Sequence, residues 1–119
     1  MKNKEKDFYC RPYGCSVQAT LSVIGGRWKP VILFHLMEGS VLRFGELKLK
    51  INTITQRMLT SQLRELEADG IIARKVYPEV PPKVEYKLTE YGLSLKPILN
   101  GMREWGANHI KHVGLAEEK

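Results

Sequence analysis

TITQRMLTSQLRELEADGIIARKVYPEVPPKVEY, residues Thr53–Tyr86, is the stretch whose reading decides the fold. Thr55 can cap a helix, its hydroxyl accepting one of the N–H groups that a first turn leaves unpaired. Leu59, Leu63 and Leu66 then recur at helical spacing and mark a buried stripe flanked by Met58. On roughly the opposite side lie Arg57, Thr60, Ser61 and Arg64, all able to donate hydrogen bonds or carry charge. Gly70 supplies a left-handed stop. Beyond it Ile72, Arg74 and Val76 alternate with Ile71, Ala73 and Lys75, and Val84, Tyr86 and Leu88 repeat at period two. Between these strands sits Pro78–Pro82, PEVPP, where proline removes ladder donors and leaves a stiff, unpaired tip.

Working outward, residues 1–14 are charged, lack an apolar period and read as a flexible arm. From Ser16 onward Val17, Leu21 and Ile24 mark a first amphipathic helix ended by Gly25-Gly26. Pro30 opens a second, with Ile32, Leu33, Leu36 and Met37, stopped by Gly39. Ser40–Arg43 is β-prone, and Phe44, Leu47 and Ile51 mark a brief third helix broken at Asn52-Thr53. Thr89 is placed to cap a long last helix reaching about His112, kinked near Leu93 by Pro97. The expected fold is mainly α with a small β-ribbon: a winged helix-turn-helix over 15–112, with additional N- and C-terminal dimerisation helices and a tail at 113–119.

At 119 residues the chain reads as one domain, small for an enzyme with a deep cleft. Its formal net charge of +6 favours a polyanionic partner. The excess is uneven: Arg43–Lys87 holds nine Lys/Arg against six Asp/Glu, whereas the segment after Lys87 is balanced at four against four. Arg27, Lys29 and the arm add to the basic side. No apolar run reaches the ~18–20 residues of a membrane span, and the first residues lack the apolar core of a signal peptide, so a cytoplasmic protein is expected. Cys10 and Cys15 with the distant His35, His109 and His112 give no zinc spacing, and Gly25-Gly26 follows a helix rather than cradling phosphate. Met37, Met58 and Met102 read as core filler, and His35 as a packed or surface residue of the second helix. No cofactor, metal or catalytic set is expected.

A helix fits the major groove, and its N-terminal end, cap-rich and at the positive pole of the helix dipole, is the natural reading end. Thr53, Thr55, Gln56, Arg57, Thr60, Ser61 and Arg64 are the candidate contacts to double-stranded DNA. Gln56 suits an adenine edge; Arg57 suits a guanine edge or a phosphate. Lys75 and Lys83 of the ribbon can lie along a neighbouring groove or backbone. The last helix is apolar over more than one stripe, which points to a homodimer built from Leu95, Leu99, Met102 and Trp105 with Leu21 and Ile24 of the first helix. Such a dimer would place two reading helices about one DNA turn apart on a pseudo-palindromic site. A winged-helix protein-interaction module and a small-molecule-responsive repressor fit the same fold.

The chain resembles the HxlR family of winged-helix transcriptional regulators over about Cys15–Gly106. The resemblance is carried by a cysteine opening the first helix, IGGRWKPVIL at Ile24–Leu33, RFGEL at Arg43–Leu47, LTSQLRELEADGII at Leu59–Ile72, VYPEVPPKVEYKLTEYG at Val76–Gly92 and REWG at Arg103–Gly106. It implies a dimeric DNA-binding regulator, repressor or activator, with Lys83 on the DNA backbone. It also implies a sensing role for Cys15, since some members detect oxidants or electrophiles through a cysteine at this place. A helix start favours thiolate, and Arg11 is close in sequence. Members commonly follow this cysteine with proline, whereas Ser16 stands here. Cys15 is then either a redox-sensing thiol, with Cys10 or a second Cys15 across the dimer as partner, or a reduced, half-buried structural thiol.

Overall fold

The computed structural model describes residues 12–118. They form α1 (Pro12–Ile24), α2 (Lys29–Gly39), β1 (Val41–Arg43), α3 (Phe44–Lys50), α4 (Gln56–Ala68), β2 (Ile72–Tyr77), β3 (Lys83–Leu88), α5 (Glu90–Leu93) and α6 (Lys96–Glu118). The architecture is the expected one, mainly helical with one small sheet. That sheet is antiparallel in the order β1-β3-β2, with β3 central. Register runs Leu42 to Tyr86 on one side and Ile72 to Leu88 and Arg74 to Tyr86 on the other. Alternation turns Leu42, Ile72, Tyr86 and Leu88 inward, where they join Ile32, Leu33 and Leu36 of α2, Leu47 of α3 and Leu59, Leu63 and Leu66 of α4. Each such side chain contributes about 1.5–3 kcal/mol on burial.

Several boundaries differ from the sequence expectation. α1 begins at Pro12, inside the stretch read as an arm, so Cys15 lies on its fourth residue. Residues 1–11, with Cys10 and Arg11, and Lys119 lie outside the described residues. Gly39 closes α2 as expected, and the positive φ, 69°, falls on the next residue, Ser40. Gly39 instead gives room, because a Cβ there would sit 2.9 Å from the Leu42 side chain. Gly70 does take the left-handed turn, at φ 76°.

The largest correction concerns the C-terminal helix. Thr89 caps the short α5, its Oγ1 accepting from the Gly92 amide at 2.9 Å. The chain then turns at Ser94-Leu95, with Leu95 N–H donating to the Gly92 carbonyl at 3.0 Å, and restarts as α6. Pro97 therefore sits in a first turn, where its missing N–H costs nothing; inside one continuous helix its ring would press on the Leu93 carbonyl. α6 also runs to Glu118, through most of the segment read as a tail.

Candidate nucleic-acid interface

Helix α4, which carries the candidate contacts, is held from three sides. Its Thr55 cap forms as expected, Oγ1 accepting from Met58 N–H at 3.0 Å. The turn before it is pinned by Ile51 and Ile54, which are 5% and 1% exposed, with Ile54 N–H donating to the Ile51 carbonyl at 3.1 Å. Ile54 went unnoticed in the sequence because it falls between periodic segments. Leu59, Leu63 and Leu66 close the third side.

With that side anchored, Thr53, Thr55, Gln56, Arg57, Ser61 and Arg64 are exposed and Thr60 is half-buried. Gln56, Arg57, Thr60, Ser61 and Arg64 line one open depression together with Glu65. Thr60 donates its hydroxyl to the Gln56 carbonyl at 2.9 Å, one turn back on the same helix. The first amides of a 13-residue helix, Gln56 and Arg57 among them, have no intrahelical acceptor and point the same way.

Glu65 brings a carboxylate onto this polar face. Lys29, buried at the start of α2, meets it with Nζ 2.5 Å from Oε1. Lys29, which by sequence adds to the basic side, is used by the fold to tie α2 to α4 and to neutralise Glu65. Arg74 is likewise engaged, 3.4 Å from Glu67.

The ribbon places Lys75 and Lys83 on one face of the sheet. Their ammonium groups lie 4.9 and 4.3 Å from the Tyr77 ring centre. Lys83 is half-buried and also 3.7 Å from Glu85, whose other oxygen accepts from Tyr77 Oη at 2.9 Å. Lys75 is exposed, so the two lysines are not equivalent.

The residues expected at a dimer interface divide. Ile24 and Leu99 are 4% and 3% exposed and belong to the protomer's own core, with Leu95 packed against it. Leu21, Met102 and Trp105 remain exposed, at 57%, 48% and 68%. Trp105 stacks on His109, ring centres 4.9 Å apart. Cys15 is completely buried, not half-buried. His35 is partly buried beside Phe34, and its pKa is lowered by burial and by Lys50, against an opposing pull from Glu38. Among the described residues no group of His, Cys, Asp and Glu is arranged to hold a metal, and no helix is long and apolar enough to cross a membrane.

Comparison with known proteins agrees with the fold. The HxlR-like helix-turn-helix family model matches residues 23–113. The HTH-type transcriptional regulator YtcD of Bacillus subtilis (strain 168), itself described as uncharacterised, is 61% identical over 103 residues, 87% of this chain and 81% of YtcD. Its crystal structure superposes with a TM-score of 0.76 at 62% identity, covering 80% of this chain and 96% of that one. The redox regulator HypR in its oxidised form gives 0.75 at 55% identity, covering 79% and 96%. The reduced transcriptional regulator YodB of B. subtilis gives 0.66 at 39%, covering 76% and 87%. The chain, a regulator and not an enzyme, belongs to the HxlR-like helix-turn-helix family.

Proposed function

We propose that this regulator works in the cytoplasm as a homodimer on a pseudo-palindromic operator, reading each half-site with the Gln56–Arg64 face of α4. The observation that carries the reading is that face itself: polar, exposed and led by free helix amides, on a helix anchored by three buried leucines. On this reading Thr53 and Thr55 contact phosphates beside it, and Lys75 and Lys83 the backbone next to the ribbon. The dimer is supported by a stripe of Ile98, Met102, Trp105, His109 and Val113 along α6, all exposed, and by exposed Val17 and Leu21 on α1. Such a stripe on a projecting helix suits a second copy of itself.

Thiol modification at Cys15 altering DNA affinity is part of the proposal. Its support is the position of Cys15 in the first turns of α1, the helix that carries Val17 and Leu21, and the likeness to a protein described as a redox regulator. Because Cys15 is buried, modification would disturb α1 packing directly. A small-molecule effector is the second reading. It is favoured by a cleft of about 390 Å³ lined by Thr20, Val23, Ile71, Tyr91, Leu95 and Ile98, between α1 and the α5–α6 junction.

One experiment tests these together: selection of bound duplexes from a random pool, run with reductant and with a mild thiol oxidant. Two half-sites about one helical turn apart are expected. Gln56→Ala and Arg57→Ala should each lose about 1–3 kcal/mol, roughly fivefold to 150-fold, at particular base positions. Binding with no preferred site, or without salt dependence, would refute the reading. Equal binding by oxidised and reduced native protein would remove the Cys15 switch, and Cys15→Ser should be indifferent to oxidant.

A further inference from the structure

The inner face of the sheet covers the core; the outer face has no such use, and its composition is unusual. Register sets Val41, Lys87 and Ala73 in one cross-strand row, Arg43, Glu85 and Lys75 in the next, and Lys83 beside Tyr77 in the third. Directly paired residues share a face, so this surface carries four cations, Arg43, Lys75, Lys83 and Lys87, against Glu85. Strands lie about 4.8 Å apart and same-face residues about 6.7 Å apart along a strand. The four charges thus occupy a patch roughly 10 Å by 14 Å. Glu85 is already engaged by Tyr77 Oη and Lys83. Arg43, Lys75 and Lys87 are exposed. Like charges gathered this closely repel one another unless a polyanion lies against them.

We propose that this outer sheet face is a second DNA-contact surface, taking the phosphate backbone of duplex that flanks each half-site. The proposal rests on the operator-binding reading above and extends it beyond the reading helix and ribbon tip. Continuity argues for it. Lys75 and Lys87 line a shallow hollow of about 200 Å³ across the sheet. Arg43 and Lys83 line another, of about 400 Å³, between the ribbon tip and the start of α3, where Glu79 and the apolar tip residues Val80 and Pro81 share the lining. The cationic surface therefore runs from the sheet to the tip that lies nearest the DNA in the proposed complex.

Residue types argue for it too. A protein-docking surface is centred on apolar or aromatic anchors. Here Val41 is the one exposed aliphatic of any size, and the Tyr77 ring is attended by two lysines. Phosphates require cations and little else, and duplex DNA presents one negative charge per ~1.7 Å of axis. A patch of this length spans several of them.

The test uses the full chain and the operator selected above, on a duplex ending at the half-site edges and on one extended by about ten base pairs at each end, roughly one helical turn. The native protein should bind the longer duplex more tightly. Arg43→Gln combined with Lys87→Gln should keep the affinity for the short duplex and lose the gain from the flanks. On the long duplex its slope of log K against log salt should fall by about 0.9 per lost phosphate contact, about 1.8 per half-site. The charge-preserving pair Arg43→Lys and Lys87→Arg should restore both, which separates charge from folding. An undiminished flank gain in the double glutamine variant overturns the proposal. So does a variant that binds both duplexes like the native protein yet fails to regulate a reporter, which would put an acidic protein on this face. A native protein that selects no sequence would sink the operator reading; site-specific binding without any flank gain sinks this proposal alone.

Discussion

Replacing Lys29 with methionine should weaken DNA binding more than it weakens the fold, although Lys29 is buried and on a different helix from the proposed contacts. Methionine keeps most of the apolar stem but removes the ammonium that sits 2.5 Å from Glu65 Oε1. Breaking a fully buried ion pair costs about 3–5 kcal/mol because a charge is stranded. Here the Glu65 side chain is 55% exposed, so its carboxylate can rehydrate, and the loss should fall to about 1 kcal/mol. The stranded charge instead appears on the reading face, where Glu65 lines the same depression as Gln56, Arg57 and Arg64. A unit charge about 10 Å from a phosphate changes its energy by about 0.4 kcal/mol in water. Over the two or three phosphates nearest each proposed reading helix this amounts to about 1 kcal/mol, about 2 for a dimer, which should bind its operator about thirtyfold more weakly. Urea melts and operator titrations at low salt on Lys29→Met, Glu65→Gln and the double variant measure the two effects. Adding Glu65→Gln to Lys29→Met should recover the affinity. A stability loss above about 3 kcal/mol with unchanged DNA binding, or no recovery in the double variant, would refute the reasoning.

Thr89→Ala should destabilise the protein by about 2 kcal/mol, combining about 1 for the lost cap and about 1 for the bonds its hydroxyl shares between the Gly70 and Ile71 carbonyls. In urea that is a midpoint about 1 M lower, largely recovered by serine; a shift under about 0.3 M would contradict it. For His35 the fold favours the neutral ring, chiefly through burial. In the pH range between its lowered folded pKa and its ordinary value of 6.5 the unfolded chain binds more protons, so stability rises with pH. The deficit should begin as pH falls through 6.5 and be complete below the folded pKa. Melting temperatures across that range should show it, and His35→Gln should flatten it.

What could be read from the sequence was what local chemistry decides. Thr55 caps α4, Gly70 ends it, and its leucines keep the helical period, because each signal involves residues within a turn or two of one another. The DNA-facing candidates were legible for the same reason, since most lie on one face of one helix. Pro97 shows the limit. Missing N–H and fixed φ suit both a kink and a fresh start, and distant atoms bear on the choice: Gly92 packs so tightly on the Ile71 carbonyl that a Cβ there would overlap it, which holds α5 against the turn between α4 and β2. Apolar letters show a similar limit. Ile24 and Leu99 go to the core while Leu21 and Trp105 stay outside, and sequence periodicity cannot say which partner an apolar residue meets.

Charge was the least legible of all, because a lysine reads alike whether it is solvated, buried against a carboxylate or lined up in a sheet. Tertiary pairing takes Lys29 out of the basic surface and silences Glu65, and strand register gathers Arg43, Lys75, Lys83 and Lys87 from three separate segments. A net charge of +6 therefore understates the polarity of the molecule. Three acidic groups on this side are paired, Glu65 with Lys29, Glu67 with Arg74 and Glu85 with Lys83. Arg57 and Arg64 on the helix and Lys75, Lys87 and Arg43 on the sheet stay exposed. Ion pairs at these positions stabilise the fold weakly. Their larger effect is on the field a polyanion meets, which is why each carboxylate loses its influence on DNA only as long as its cationic partner is in place.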